Sequence, residues 1–347
     1  MNTFTKLSKR FLIAAMLLLA VVTVKAQEEE EPSFSLSGSV DTYFRTNLNA
    51  ANYTDFDDDG VNEIQSPGSS FANLPGFSLG MVNLIAAYEG EKVGFVGDLV
   101  FGPRGADAVF GSAPALNIVN QLYVYWSVSD ALTITAGNFN TFLGYEVISP
   151  SANFNYSTSY MFSYGPFSHS GLKADISAGD VSFMVGVFNP TDATDFNPSG
   201  DYLGGAQIGY GGAYLNFLFD DEFFQADLTA GWDLSESFYL GVNATSASDN
   251  FFGAALYLQN SFSDAFSMGL RGEYFSDKGV GVLTTDESVI DLTLSANYTV
   301  GSLTLIPEVR LDSFSEDDVV VTEFNSPTDF KTGSSLSSFV IAAVYSF

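Results

Sequence analysis

Charged residues in this sequence recur at every second position, and that spacing decides what chemistry they could do. Arg271 is followed by Glu273, Lys173 by Asp175, and Glu308 by Arg310 and Asp312. Asp41 and Arg45 stand four apart, and Asp98, Asp227 and Asp291 stand singly among apolar neighbours. In an extended chain, residues two apart share one face. Such a face can line an aqueous lumen, where these eight carboxylates against four cations would favour cation passage. Equally, Arg271 can pair with Glu273, and Arg310 with Glu308 and Asp312, leaving a wall that is merely solvated. Tyr123 has the same inward parity and is expected on the lining.

Two other groups are candidates for chemistry. Asp55, Asp57, Asp59 and Gly60 resemble the opening of an oxygen-rich calcium loop. Its closing bidentate Glu is missing, because Ser66 stands there, and Glu63 is a partial substitute. The incomplete pattern favours a solvated acidic loop, so no metal or other cofactor is expected. His169 is the single His, and without a visible partner set it reads as structural, at a loop–strand junction. No nucleophile elbow or phosphate loop is present, and no enzyme activity is expected.

The elements that would position these residues follow from composition and period. The chain has 347 residues, no Cys, 12 basic and 41 acidic residues, and 15% aromatics. Twelve cations cannot build a nucleic-acid face, and an aromatic-rich chain is not a disordered acidic tail. Lys6, Lys9 and Arg10 precede the apolar run Phe11 to Val24, and Val24-Lys25-Ala26 suits cleavage. Residues 1–26 therefore read as a secretory signal peptide, with an uncleaved anchor as the alternative. Its removal takes four cations and leaves a net charge of −33. Residues 27–32 form a short acidic spacer, and 33–347 carry the fold.

From Ser33 onward the period is two. Sixteen strands are expected, near 33–48, 76–89, 92–101, 116–128, 131–139, 171–178, 181–189, 203–210, 213–219, 223–233, 237–246, 251–261, 265–275, 288–299, 302–313 and 336–347. Gly209, Gly211 and Gly212 blur the break within 203–219, so fourteen is the alternative. Connections alternate between two-residue turns and mostly long loops, with 220–222 and 247–250 as short exceptions, as in an all-β, transmembrane, up-and-down antiparallel barrel with long outer loops and short periplasmic turns. Sixteen strands with an apolar interior would enclose a void too wide to fill, whereas lipid outside and water inside satisfy the same pattern. Trp126, Trp232, Tyr298, Phe238 and Phe266 would share one interface as an aromatic girdle. The last strand ends on Phe347, the kind of signal that outer-membrane assembly machinery reads.

The stretch from Ala136 to Lys173 carries a loop too long to lack a role. Ala136-Gly137-Asn138-Phe139, Gly144-Tyr145-Glu146, Asn153 with Tyr156-Ser157, and His169-Ser170-Gly171 resemble the OmpL-like β-barrel porin family. Gln121-Leu122-Tyr123 and Gly186-Val187-Phe188-Asn189 fit it too. The resemblance implies a porin in the outer membrane of a Gram-negative bacterium, passing small hydrophilic solutes by diffusion. Loop 140–170, with Tyr145, Glu146, Asn153, Tyr156, Tyr160 and His169, is expected to constrict it. The expected partners are outer-membrane lipid and lipopolysaccharide, the assembly machinery and the solutes, with a monomer or a homotrimer as the assembly. The alternative is a non-conducting barrel whose acidic outer loops bind a ligand or cation.

Overall fold

A computed structural model describes residues 32–57, 59–112 and 118–347. The expected signal peptide, the spacer as far as Glu31 and the first residues of the fourth expected strand lie outside the described residues. Sixteen antiparallel strands close into one barrel. They are β1 Ser33–Asn47, β2 Gly76–Glu89, β3 Val93–Phe101, β4 Val119–Ser129, β5 Leu132–Asn140, β6 Ser168–Ala178, β7 Val181–Phe188 and β8 Leu203–Tyr210. The second half comprises β9 Ala213–Phe219, β10 Phe224–Asp233, β11 Phe238–Ala247, β12 Phe251–Ser263, β13 Phe266–Asp277, β14 Ser288–Val300, β15 Leu303–Phe314 and β16 Ser335–Ser346. The doubtful pair is two strands, β8 and β9, in register from Gly204 opposite Phe219 to Tyr210 opposite Ala213. Gly211 and Gly212 both take positive φ there and form the two-residue turn.

Alternation sorts the faces. Phe34, Leu36, Val40, Phe77, Leu122, Val124, Ile290 and Leu292 are exposed on the outside. Asp41, Arg45, Asp98, Asp291 and Thr293, on the opposite parity, are buried inside. Trp126, Trp232 and Tyr298 are exposed, with Tyr298 paired to Phe266. β16 pairs with β1 to close the cylinder, and Gly38 and Phe347 exchange two backbone hydrogen bonds of 3.0 Å.

Two irregularities bear on the interior. A bulge places Asp41 of β1 opposite Gly80 and Met81, and Met81 N donates to Asp41 Oδ1 at 2.9 Å. Gly80 lacks the Cβ that would collide with that carboxylate. On β15, Pro307 has no N–H to give, and the ladder to β14 skips Ala296 and Asn297. Short hairpins, Tyr53–Thr54 with Glu63–Ile64 and Val320–Ser326 with Asp329–Gly333, decorate the long-loop end.

The packed core is inside the barrel rather than in its wall. Parts of three connections turn inward: 65–75, 102–112 with the short helix α1 (Pro103–Ala108), and 141–167 with α2 (Tyr160–Tyr164). Phe71, Val100, Val109, Ile148, Phe162 and Phe167 form one apolar cluster between them. Tyr160 and Met161 pack on Phe251, Ala255 and Phe275 in a second.

Candidate functional site: the lumen and its inward loop

A loop crossing a barrel must satisfy its backbone polar groups without a ladder. Charged side chains of the wall and loops do this for Tyr156 to Met161. Glu308 of β15 accepts from Tyr156 N (2.8 Å) and Ser157 N (3.1 Å). Glu273 of β13 accepts from Tyr160 N (2.8 Å) and Met161 N (2.7 Å), the otherwise unpaired donors at the start of α2. Ser159 N donates to Glu146 (2.7 Å), and Ser159 Oγ caps α2 by accepting from Phe162 N. The carbonyls are served by cations. Arg104 reaches Tyr156 O (3.2 Å), Arg271 reaches Ser157 O (2.7 Å) and Arg310 reaches Thr158 O (2.8 Å).

The same groups are bound to each other. Arg271 pairs with Glu146 at 2.7 Å and Asp291 at 2.8 Å, and Arg310 with Asp312 at 2.7 Å and Asp291 at 3.3 Å. Of the pairings the sequence allowed, Arg310–Asp312 forms, whereas Arg271–Glu273 and Arg310–Glu308 do not. The loop's N–H groups take both Glu carboxylates instead. Tyr156 Oη donates to Asp41, and Tyr160 Oη to Asp312 at 3.0 Å. Burial, with Asp41 adding to it, raises the Tyr156 phenol far above its usual range, so it stays a neutral donor.

The remaining residues expected on the lining are placed as follows. Asp98 accepts from Asn83, Asn120 and Gln121. Asp227 accepts from Gly144 N (3.0 Å), Asn216 and Asn243. Arg45 donates to Asn47 and to carbonyls of the 48–75 loop. Lys173 and Asp175 form a half-exposed pair near the short-turn end, and Tyr123 packs edge-on against Phe139. Within the loop, Asn153 closes a local turn through Val147 N and O. His169 is not in the loop but in β6. It is fully buried between Phe142 and Phe188 and hydrogen-bonded to Thr141 Oγ1 at 2.9 Å. The strand begins at Ser168 because Asn140 and Phe139 pair with Ser168 and His169.

Several residues escaped the sequence reading. Arg104 lies over the rings of Phe71 (4.4 Å) and Tyr156 (5.3 Å) and donates to Ile148 O. Asp192, in a loop between β7 and β8, accepts from Phe167 N and Ser168 N at 2.9 and 2.8 Å and fixes the loop's exit. Glycines of the wall act as sockets. A Cβ on Gly241 would strike Tyr145, on Gly253 Met161, and on Gly269 Phe154. Arg104 and Asp192 lie off the alternating strands, so period could not mark them. The glycines do alternate with apolar residues, and a Gly inside a strand is a sign of close approach.

The loop is tethered most heavily to β1 and β13–β15. Along β10–β12 three cavities follow each other. At the long-loop end, Tyr164, Tyr202, Phe223 and Phe251 line about 530 Å³. At the short-turn end, Tyr145, Tyr239, Tyr257 and Gln259 line about 510 Å³. Between them, Leu143, Met161 and Phe162 face Asp227, Asn243 and Thr245 across only about 10 Å³. On one face of β11, Tyr239 lines the short-turn cavity, Asn243 and Thr245 the narrow one, and Ala247 the long-loop one. Asp55, Asp57 and Asp59 lie close enough for carboxylate oxygens of all three to approach one another.

Comparison with known proteins agrees with this architecture. No curated protein matches the sequence. The fold is similar to the anion-selective porin from Comamonas acidovorans (TM-score 0.59, 13% identity, covering 91% of this chain and 100% of that one). It is also similar to the outer membrane protein OmpT of Vibrio cholerae in its in-vitro folded form (0.53, 11%, 93% and 100%) and to a mutant of the Rh. blastica porin (0.52, 13%, 91% and 100%). At these identities the likeness is one of fold. Residues 33–347 match the family described as Putative beta-barrel porin-2, OmpL-like. The chain belongs to that family of β-barrel porins, and its place is the outer membrane of a Gram-negative bacterium.

Proposed function

We propose that this barrel is a non-enzymatic diffusion channel for small hydrophilic solutes, constricted by the 141–167 loop. Its path runs along β10–β12. The observation that carries this is the row of three cavities beside β11, wide at both ends and narrow where Leu143, Met161 and Phe162 face Asp227 and Asn243. The throat has room for about one water, so anything larger passes only when the loop moves on that side. By formal count the inward groups on the wall and loop are net acidic. Asp41, Asp98, Glu146, Asp227, Glu273, Asp291, Glu308 and Asp312 outnumber Arg45, Arg104, Arg271 and Arg310, all of them buried. That balance favours cations over anions among ionic solutes.

Liposome swelling with solutes of graded size tests the channel. Swelling is expected for the smallest solutes, with a size limit that rises when residues 147–166 are replaced by a short Gly-Ser link. No swelling for either protein would favour a closed barrel whose outer loops bind a ligand. Reversal potentials in a salt gradient test the charge preference, and an anion preference would overturn it.

A further inference from the structure

The cavity at the short-turn end has a composition unlike the rest of the interior. Tyr145 is stacked on Tyr257 (ring centroids 4.0 Å apart, 19° between planes), and its hydroxyl meets that of Tyr239 at 3.2 Å. Both Tyr145 and Tyr239 line the cavity. Around them stand carboxamides: Gln259 and Asn297 from the wall, Asn153 and Asn155 from the loop. Glu146 is the one charged group of the lining, and it is committed to Arg271 and Ser159 N. Asn297 gives its Nδ2 to Phe154 O at 3.2 Å, while its Oδ1 is buried without a partner among the described residues. An unpaired buried acceptor is costly unless a ligand or water supplies a donor.

Aromatic faces beside neutral carboxamides are complementary to one class of solute. A pyranose ring has a flat C–H face that packs on an aromatic ring and a rim of hydroxyls. Each hydroxyl both donates and accepts, as does each Asn or Gln amide. An ion finds no unpaired opposite charge here, and a purely apolar solute would leave the amides unsatisfied. At about 510 Å³ the cavity holds one or two sugar rings.

We infer that the Tyr145–Tyr239 cavity is a binding subsite for neutral saccharides on the short-turn side of the throat. The inference rests on the diffusion-channel reading for its biological sense, because the subsite would hold sugars about to enter or just past the throat. Its test does not depend on conduction.

Saturation-transfer NMR on the detergent-solubilised full chain, with glucose, maltose and the acyclic polyol sorbitol as probes, reads binding directly. Transfer is expected to the ring C–H protons of both sugars and to be at least threefold weaker for sorbitol, which has no flat face. Tyr239→Ala is expected to weaken sugar binding about fivefold, the size of one aromatic contact. Gln259→Ala, which leaves the rings in place, is expected to weaken it a few-fold and serves if the first variant does not fold. Equal transfer to sorbitol, or sugar binding indifferent to both substitutions, overturns the subsite. Loss of swelling with sugar binding intact would overturn the channel alone, and swelling without sugar binding would overturn the subsite alone.

Discussion

Arg271 shows how much rests on single charged groups in this lumen. Its guanidinium holds Glu146, Asp291 and the Ser157 carbonyl while fully buried. Removing one partner of such a cluster strands the others, at a cost of roughly 3–5 kcal/mol. Arg271→Met is therefore expected to release the 141–167 loop. Protease cutting within 147–166 in proteoliposomes should become at least tenfold faster while the barrel still migrates as a folded, heat-modifiable band. Unchanged cutting would show that the cluster does not hold the loop. Asp192 gives a pH-dependent counterpart at the loop's exit. Burial pushes its carboxyl up to about 6, against two backbone N–H bonds that pull it down. The folded state thus holds this proton more tightly than the unfolded chain. Its contribution is fully present below about pH 4 and is lost as pH rises through about 6. The thermal midpoint of the wild type should fall relative to Asp192→Asn between pH 4.5 and 7.5. A parallel pH response of the two proteins would count against the assignment.

At the scale of elements, the wall and the loop are cut to fit each other. Gly269 on β13 and Gly241 on β11 leave room for the Phe154 and Tyr145 rings. A Leu at 269 keeps the strand but fills the socket, and overpacking of this kind costs about 1–3 kcal/mol. Gly269→Leu is expected to displace the 150–156 segment and change single-channel conductance by at least twofold, without loss of the folded band. If conductance and loop cleavage both match the wild type, the sockets are not what seats the loop. Period two and the turn residues made all sixteen strands readable, including β8 and β9. It also made the inward parity of Asp41, Arg45, Asp98, Asp227, Arg271, Glu273, Asp291, Glu308, Arg310 and Asp312 readable. What each of them bonds to was not, since partners from a loop more than a hundred residues away leave no local mark.

For the whole molecule, closure depends on the final strand. β16 joins β1 to β15, and Phe347 is bonded to Gly38 with its side chain exposed. Closing the ladder removes the last free edge, which lipid cannot satisfy. Deleting Phe347 is expected to reduce the folded, heat-modifiable fraction in the outer membrane several-fold, while refolding of the purified chain in detergent falls much less. Equal losses in both settings would mean that the residue serves closure alone and not recognition by the assembly machinery.

The sequence by itself determined the barrel, its strand number to within two, its lipid and lumen faces, and the place of its long connection between β5 and β6. Those properties follow from local period and turn chemistry, which act over a few residues. Only the tertiary structure decided that the inward charges grip a loop instead of facing open water. It also decided that His169 belongs to β6, that Arg104 and Asp192 fasten the loop, and that a narrow row of cavities lies along β11. These are outcomes of packing between segments far apart in the chain. A carboxylate two residues from an arginine has a fixed direction, but its partner is whichever donor the folded molecule brings closest.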